Sequence, residues 1–294
     1  MNRSISQRLH DRLWTETSKR LTREMNLPGK SASAKTASSV SASMPWADLC
    51  EAFAGGKISS QNFRRCSATR EIVETLGPVD AQFFVRKIKE WDASWLSAAA
   101  VKRIDQWGNP IRWPGILLGC PSPFSPSSLR YLAQALWLRR HGQLEEHSRI
   151  AEIGVGFGGL AAMNAIVSGA HTTLIDLPQV EQSAMRMLAE NQLEAFARTS
   201  DSPSDQATRF VISNYAFTEL NAELQELYFA RYIRGSSHGM ILSNASVFAS
   251  IIGGLSNEQI VESLQQAGHR PRIETTSEIL SSSDTHFGNV LIAW

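Results

Sequence analysis

The stretch that decides the fold is IAEIGVGFGGL, residues 150–160. It places four glycines and one carboxylate, Glu152, in an otherwise apolar run. A plain buried strand has no use for that composition. Glycine costs backbone entropy on folding, so a cluster marks a tight turn or a place where a ligand meets bare main chain. The run reads as a strand, a glycine turn and the start of a helix. A second strand, HTTLIDL at 171–177, ends in Asp176. Together they form half of a nucleotide-binding unit. Gly154, Gly156 and Gly158 let a ligand lie against main chain at the helix N-terminus, while the Asp176 carboxylate can accept both hydroxyls of a ribose.

Working outward, short apolar runs alternate with helical stretches after residue 148. RIAEIGV, HTTLIDL, AFART, RFVISNY, GMILSNA, RIETTS and NVLIAW are the candidate strands, with helices expected near 158–168, 178–193, 218–234 and 256–267. That rhythm predicts an α/β fold with a Rossmann-like, doubly wound, mostly parallel sheet. Only SEILSSSDTHFG, read as helix-free, separates the last two strands, which are therefore expected to pair as an antiparallel hairpin at one end of the sheet. Residues 46–147 read as a helical region that could close over the crevice. AQFFVRKIKEWDASWL is apolar at helical spacing, and SPSSLRYLAQALWLRRHG is expected to start at an N-cap on Ser127 or Ser128 and to stop at Gly142. Between them lies the Gly-Pro loop DQWGNPIRWPG, and most tryptophans of this half are expected in the core. Residues 1–45 read as a basic helix and a flexible Ser/Ala-rich linker, leaving 148–294 as the glycine-loop domain.

Composition excludes several function classes. A formal net charge of +1 over 294 residues, without a dense basic stripe, argues against a nucleic-acid partner. Three scattered cysteines fit neither a disulfide framework nor a zinc site, and point to a reducing, cytoplasmic setting. No apolar run is long enough to span a bilayer, and the charged N-terminus lacks the apolar core of a secretory leader, so no membrane association is expected. Assembly into a homo-oligomer stays open.

The spacing Gly154-x-Gly156-x-x-Gly159 also satisfies the dinucleotide fingerprint, which keeps an NAD-dependent oxidoreductase as an alternative. Glu152 argues against it. A dinucleotide strand would carry an apolar side chain there, whereas a carboxylate suits the cationic amino group of S-adenosylmethionine. The terminal segment HFGNVLIAW resembles the reversed seventh strand of class I methyltransferases. Cofactor contacts are therefore expected from Glu152, Gly154, Gly156, Gly158, Asp176 and Leu177, and from Asn214 and Tyr215 at the end of RFVISNY. The rings of Tyr215 and Phe217 could flank a sulfonium by cation–π attraction.

More specifically, EIGVGFGGL, IDLP, SNYAFTELNAELQELY and HFGNVLIAW, with DQWGNP and SPSSLRYL upstream, resemble the sugar O-methyltransferase family over roughly residues 100–294. The chain departs from such proteins at Val155, where a glycine is common. The resemblance implies S-adenosylmethionine-dependent methylation of a sugar hydroxyl, in a polysaccharide or a glycosylated small molecule. A hydroxyl is a poor nucleophile, so a base helps. His286 is the first candidate because neutral imidazole takes a proton near neutral pH. Glu219 is the second, and Asn214 could orient the hydroxyl. Asn109, Arg130, Tyr131 and Asn244 are expected at the substrate, Arg130 through a bidentate carboxylate contact with the sugar or with the methionine part of the cofactor. A divalent metal held by Asp176, Glu219, Asp284 and His286 is conceivable, but no spacing demands it. Val155 and the unsettled base also leave room for a catalytically silent binding protein on the same fold.

Overall fold

The computed structural model describes residues 45–201 and 210–294, so the expected basic helix and linker fall almost wholly outside the described residues. The first part of the described chain is helical, as α1 (Pro45–Ala54), α2 (Ser67–Ile72), α3 (Pro78–Asp92), α4 (Ala99–Gln106) and α5 (Pro126–Arg140). Ser125, and not Ser127 or Ser128, caps α5: its hydroxyl accepts from the Ser128 amide at 3.2 Å, and Pro126 stands at the first turn, where a missing N–H costs nothing, so the helix starts earlier than expected.

All seven expected strands form: β1 (Arg149–Ile153), β2 (His171–Ile175), β3 (Ala197–Thr199), β4 (Phe210–Asn214), β5 (His238–Ser243), β6 (Arg272–Glu274) and β7 (Val290–Ala293). They build one sheet in the order β3-β2-β1-β4-β5-β7-β6. Every pairing is parallel except those of β7, which runs against both β5 and β6. The fold is therefore the expected Rossmann-like α/β sheet. The last two strands do pair antiparallel, but β7 lies inside, between β5 and the edge strand β6.

Helices α6 (Gly159–Ser168), α7 (Pro178–Glu190), α8 (Ala222–Tyr228), α9 (Ala245–Ile252), α10 (Asn257–Gln266) and α11 (Ser282–His286) complete the element set used below. Two of these depart from the sequence reading. α9 follows β5 directly, and α11 breaks the supposedly helix-free link before β7. α11 is nucleated by a capping box in which Ser281 and Asp284 exchange hydrogen bonds with each other's main chain.

Side chains alternate across the sheet with period two. Ile150, Leu174, Ile212, Leu242 and Leu291 join a large apolar cluster shared with the helical layer α1–α5. Ala151, Ile175, Val211, Ile241 and Ile292 face a smaller cluster with Phe217, Phe229, Ile260 and Leu264. The helical layer and one sheet face thus share a single core. Of the tryptophans in this layer, Trp46, Trp113 and Trp137 are buried, while Trp91, Trp95 and Trp107 pack partly buried at its margin. Among the described residues no helix is long and apolar enough to cross a membrane.

Candidate functional site

Where β1, β2 and β4 end, the glycine loop leaves a crevice of about 1030 Å³ counted out to open solvent. It lies outside the carboxyl ends of the strands, where a doubly wound sheet binds its ligands. Gly154, Val155, Gly156 and Asp176 form its floor, and Trp46, Ile72, Val73 and Thr75 of the helical layer form a roof.

The glycines divide into two kinds. Gly154 has φ +82°, and a Cβ there would stand 1.9 Å from Cβ of Ala216, in the turn after β4. Gly156 has φ +54° and faces the roof, its would-be Cβ 3.4 Å from Val73. Both line the crevice. Gly158, expected at the cofactor, does not; with φ +87° it lets α6 close on α7, where a Cβ would meet Met187 and Ala184 at 3.0 and 3.2 Å. Val155 is buried, and its amide donates to Asp176 Oδ2 at 2.9 Å. The branched side chain leaves that main-chain donor in place.

Three carboxylates line the crevice. Glu152 has the strand parity of Ile150, so it points toward the helical layer. It is 3% exposed, and its Oε2 is buried with no hydrogen-bond partner. Burial, and then the nearby charge of Asp176, hold its carboxyl well above the usual carboxylate range. Asp176 is half-buried and sits at the tip of β2. Its Oδ1 accepts from the Leu177 amide at 2.8 Å, and Oδ2 from Val155. Burial raises it to about 6 even though those amides favour the charged form. Each oxygen keeps a second lone pair for a ligand hydroxyl. Glu219, in the turn after β4, is raised by burial and held down in part by Asn244, whose Nδ2 donates to Oε1 at 2.7 Å.

Around these acids, Arg130 and Tyr131 of α5 reach the crevice, as does Tyr215. Tyr215 has φ +70°, a conformation that non-glycine residues rarely adopt. Its hydroxyl donates to the buried Asp284. Asn214 exchanges two side-chain hydrogen bonds with the fully buried Gln134, at 3.0 and 3.1 Å. Leu177 lines the site as well.

Other expected residues lie elsewhere. Asn109 is absent from the crevice and ties its loop to Asn62, donating to Oδ1 at 2.8 Å. Asn244 is a neighbour of Glu219 and not a lining residue. His286 ends α11 on the surface, its ring edge-on to exposed Phe287, away from the crevice. The imagined metal set is not assembled: Asp284 is occupied by Tyr215, Ser281 and Asn289, and no group of three or more His, Cys, Asp or Glu among the described residues could hold an ion. Trp46, Val73 and Gln134 went unanticipated. Nothing in their local sequence distinguishes them from core residues, and only the packing of α1, α2 and α5 on the glycine loop brings them here.

No family model matches the chain. No curated protein matches it either. Among solved structures, similar chains are methyltransferases by name. The geranyl diphosphate C-methyltransferase of Streptomyces coelicolor is 15% identical, over 55% of this chain and 77% of that one, with a TM-score of 0.42. Phosphoethanolamine N-methyltransferase 2 of Haemonchus contortus is 20% identical over 48% and 38%, at 0.40, and mitomycin 7-O-methyltransferase is 17% identical over 55% and 56%, at 0.39. The overlap is partial, and what the crevice can do rests on its own residues. An acid-lined, largely desolvated cleft with bare main chain at its floor suits a cationic ligand that carries hydroxyls, and disfavours a pyrophosphate.

Proposed function

We propose that this protein is an S-adenosylmethionine-dependent methyltransferase that methylates a hydroxyl oxygen, on a sugar of a polysaccharide or glycosylated metabolite. One observation carries the reading: Glu152, buried at the floor of the glycine-loop crevice, has a carboxylate oxygen without a partner. A buried acceptor left unpaired is costly, and the ammonium of an amino-acid-bearing nucleoside would satisfy it. NAD offers no such group and would set its diphosphate among three carboxylates.

The residues divide the work. Gly154 and Gly156 expose main chain to the ligand, Asp176 accepts from the ribose through its remaining lone pairs, and Leu177 packs against the base. The cofactor supplies an activated methyl group on a sulfonium. Asn214, fixed by Gln134, and Tyr215, fixed by Asp284, stand at the end of β4 where the acceptor enters. Glu219 takes the proton of the acceptor hydroxyl. Its desolvated carboxyl is shifted toward neutrality, where a base works best, and Asn244 leaves its second oxygen open. This role passes to Glu219 because surface-exposed His286 stands away from the crevice. The family resemblance in SNYAFTEL supports oxygen as the acceptor atom and a sugar as its bearer.

Calorimetric titration of the full chain with S-adenosylhomocysteine tests the cofactor, and transfer of labelled methyl from S-adenosylmethionine to a carbohydrate panel tests the acceptor. We expect saturable binding and label on neutral sugars. Folded protein that gives no heat with S-adenosylhomocysteine, yet is stabilised by NADH, overturns the proposal.

A further inference from the structure

A second cavity, of about 530 Å³ counted out to open solvent, opens at the other end of the sheet. Phe210, which begins β4, and His238 and Gly239, which begin β5, line it together with Ala293 at the end of β7. Asn214, at the crevice, lies four residues along β4 from Phe210, about 13 Å at the rise of a strand, so the two sites are separate. The aromatic walls of this cavity are set in place. The ring of Trp294 fills the space that Gly239 leaves open, since a Cβ there would stand 2.1 Å from the ring. Trp294 Nε1 donates to Ser236 Oγ at 3.1 Å. Trp137, 5% exposed near the end of α5, packs against the His141 ring at 4.6 Å, and His141 Nδ1 donates to the Trp137 carbonyl at 2.8 Å.

The charges here are the reverse of those in the crevice. Arg270 and Arg272 line the cavity with His141 and His238, and no carboxylate does. Two acids stand beside these residues and are already engaged: Glu274 pairs with Arg272 Nε at 2.8 Å, and Glu278 lies 3.8 Å from His141 Nε2. Among the described residues, the side chains of Arg270 and His238 have no hydrogen-bond or ion-pair partner. The last turn of α5, whose carbonyl end disfavours an anion, carries Arg139 and Arg140. We infer that this cavity binds a phosphorylated ring compound, a nucleotide or a sugar phosphate. A phosphate presents three strong acceptor oxygens, which suits the donors of Arg270, Arg272 and His238. The ring it carries lies against Trp137 and Trp294, whose fixed positions lower the entropy lost on binding. The acid-lined crevice repels the same ligand, so the two ends of the sheet sort their ligands by charge.

The full chain is titrated calorimetrically, at one ionic strength, with uridine monophosphate, glucose-1-phosphate, uridine, glucose and inorganic phosphate. At least one ester is expected to bind about ten- to a hundredfold more tightly than its unphosphorylated parent, the range for charge-assisted hydrogen bonds, and more tightly than inorganic phosphate. The tighter of the two esters identifies the ring as a base or a sugar. Arg270→Gln combined with Arg272→Gln alters only exposed side chains, so the variant should fold, and its preference for ester over parent should fall to near one. If neither ester exceeds its parent in the wild type, the inference is overturned whatever the variant does. Inorganic phosphate that binds as tightly as both esters overturns it too, because the rings then contribute nothing. An undiminished preference in the double variant places the ligand elsewhere and has the same consequence. None of these measurements involves S-adenosylmethionine, so this inference and the methyltransferase reading stand or fall separately.

Discussion

Asp176 shows how one side chain links the glycine loop to ligand chemistry. An acid raised by burial to about 6 from an ordinary 3.8 keeps its proton in the native state after the unfolded chain has lost it. The native state is then favoured at low pH, and that advantage fades as pH rises through about 6. Ligand binding reverses the preference, because ribose hydroxyls donate to the ionised form and an ammonium at Glu152 favours ionisation there too. We therefore expect S-adenosylhomocysteine to bind more tightly at about pH 7 than at about pH 5, with protons released on binding near pH 6. Calorimetry in buffers of different ionisation heat measures that release, and Asp176→Asn should reduce it. Glu152 and Asp176 were legible in the sequence because an acid in a strand has few structural uses. His286 was not: the capping box of Ser281 and Asp284 sets the phase of α11 and turns residue 286 outward, a consequence of geometry and not of residue type.

At the level of elements, the contact of α6 on α7 depends on Gly158. Its backbone is left-handed, and a methyl there would stand 3.2 Å from Cβ of Ala184. Gly158→Ala should destabilise the protein by about 1–3 kcal/mol, the cost of holding such a conformation with a side chain, measured by urea unfolding. Because the residue does not line the crevice, S-adenosylhomocysteine affinity should change little in the folded variant. A loss of affinity without loss of stability would return Gly158 to the cofactor. The strands were readable from their apolar runs, and α6, α7 and α10 from their periodicity. α9 escaped because ASVFASII is only eight residues long and has just two serines, Ser246 and Ser250, to mark a polar side, with Ile251 left 70% exposed. The inner position of β7 escaped as well, since hairpin logic fixes which strands pair and says nothing about which one lies at the edge.

Across the whole molecule, the apolar cluster runs without a break from Trp46 to Ala293. Fully buried Arg64 strengthens the junction. It pairs with Glu74, donates to Ser125 and Ser128, and lies 4.4 Å over the ring of Phe157 in the glycine loop. Trp107 stacks on that same ring at 5.8 Å. Residues 148–294 alone would expose the apolar sides of α6 and α7 that pack against α1, α4 and α5. We expect that fragment to aggregate when produced alone, and residues 45–294 to unfold in a single calorimetric transition. A soluble fragment with native-like circular dichroism would show the two parts to be independent. The sequence divides the chain at about residue 147 because its rhythm changes there, but rhythm records local structure and a shared core is a long-range fact.

The floor of the crevice is largely main chain around Gly154 and Gly156, whereas its roof draws on Trp46 of α1, Ile72 at the end of α2, and Val73 and Thr75 in the link that follows. Enlarging or trimming those four residues changes what can enter while leaving the grip on the nucleoside untouched. Descendants of this chain can thus diverge in diet without relearning how to hold their reagent.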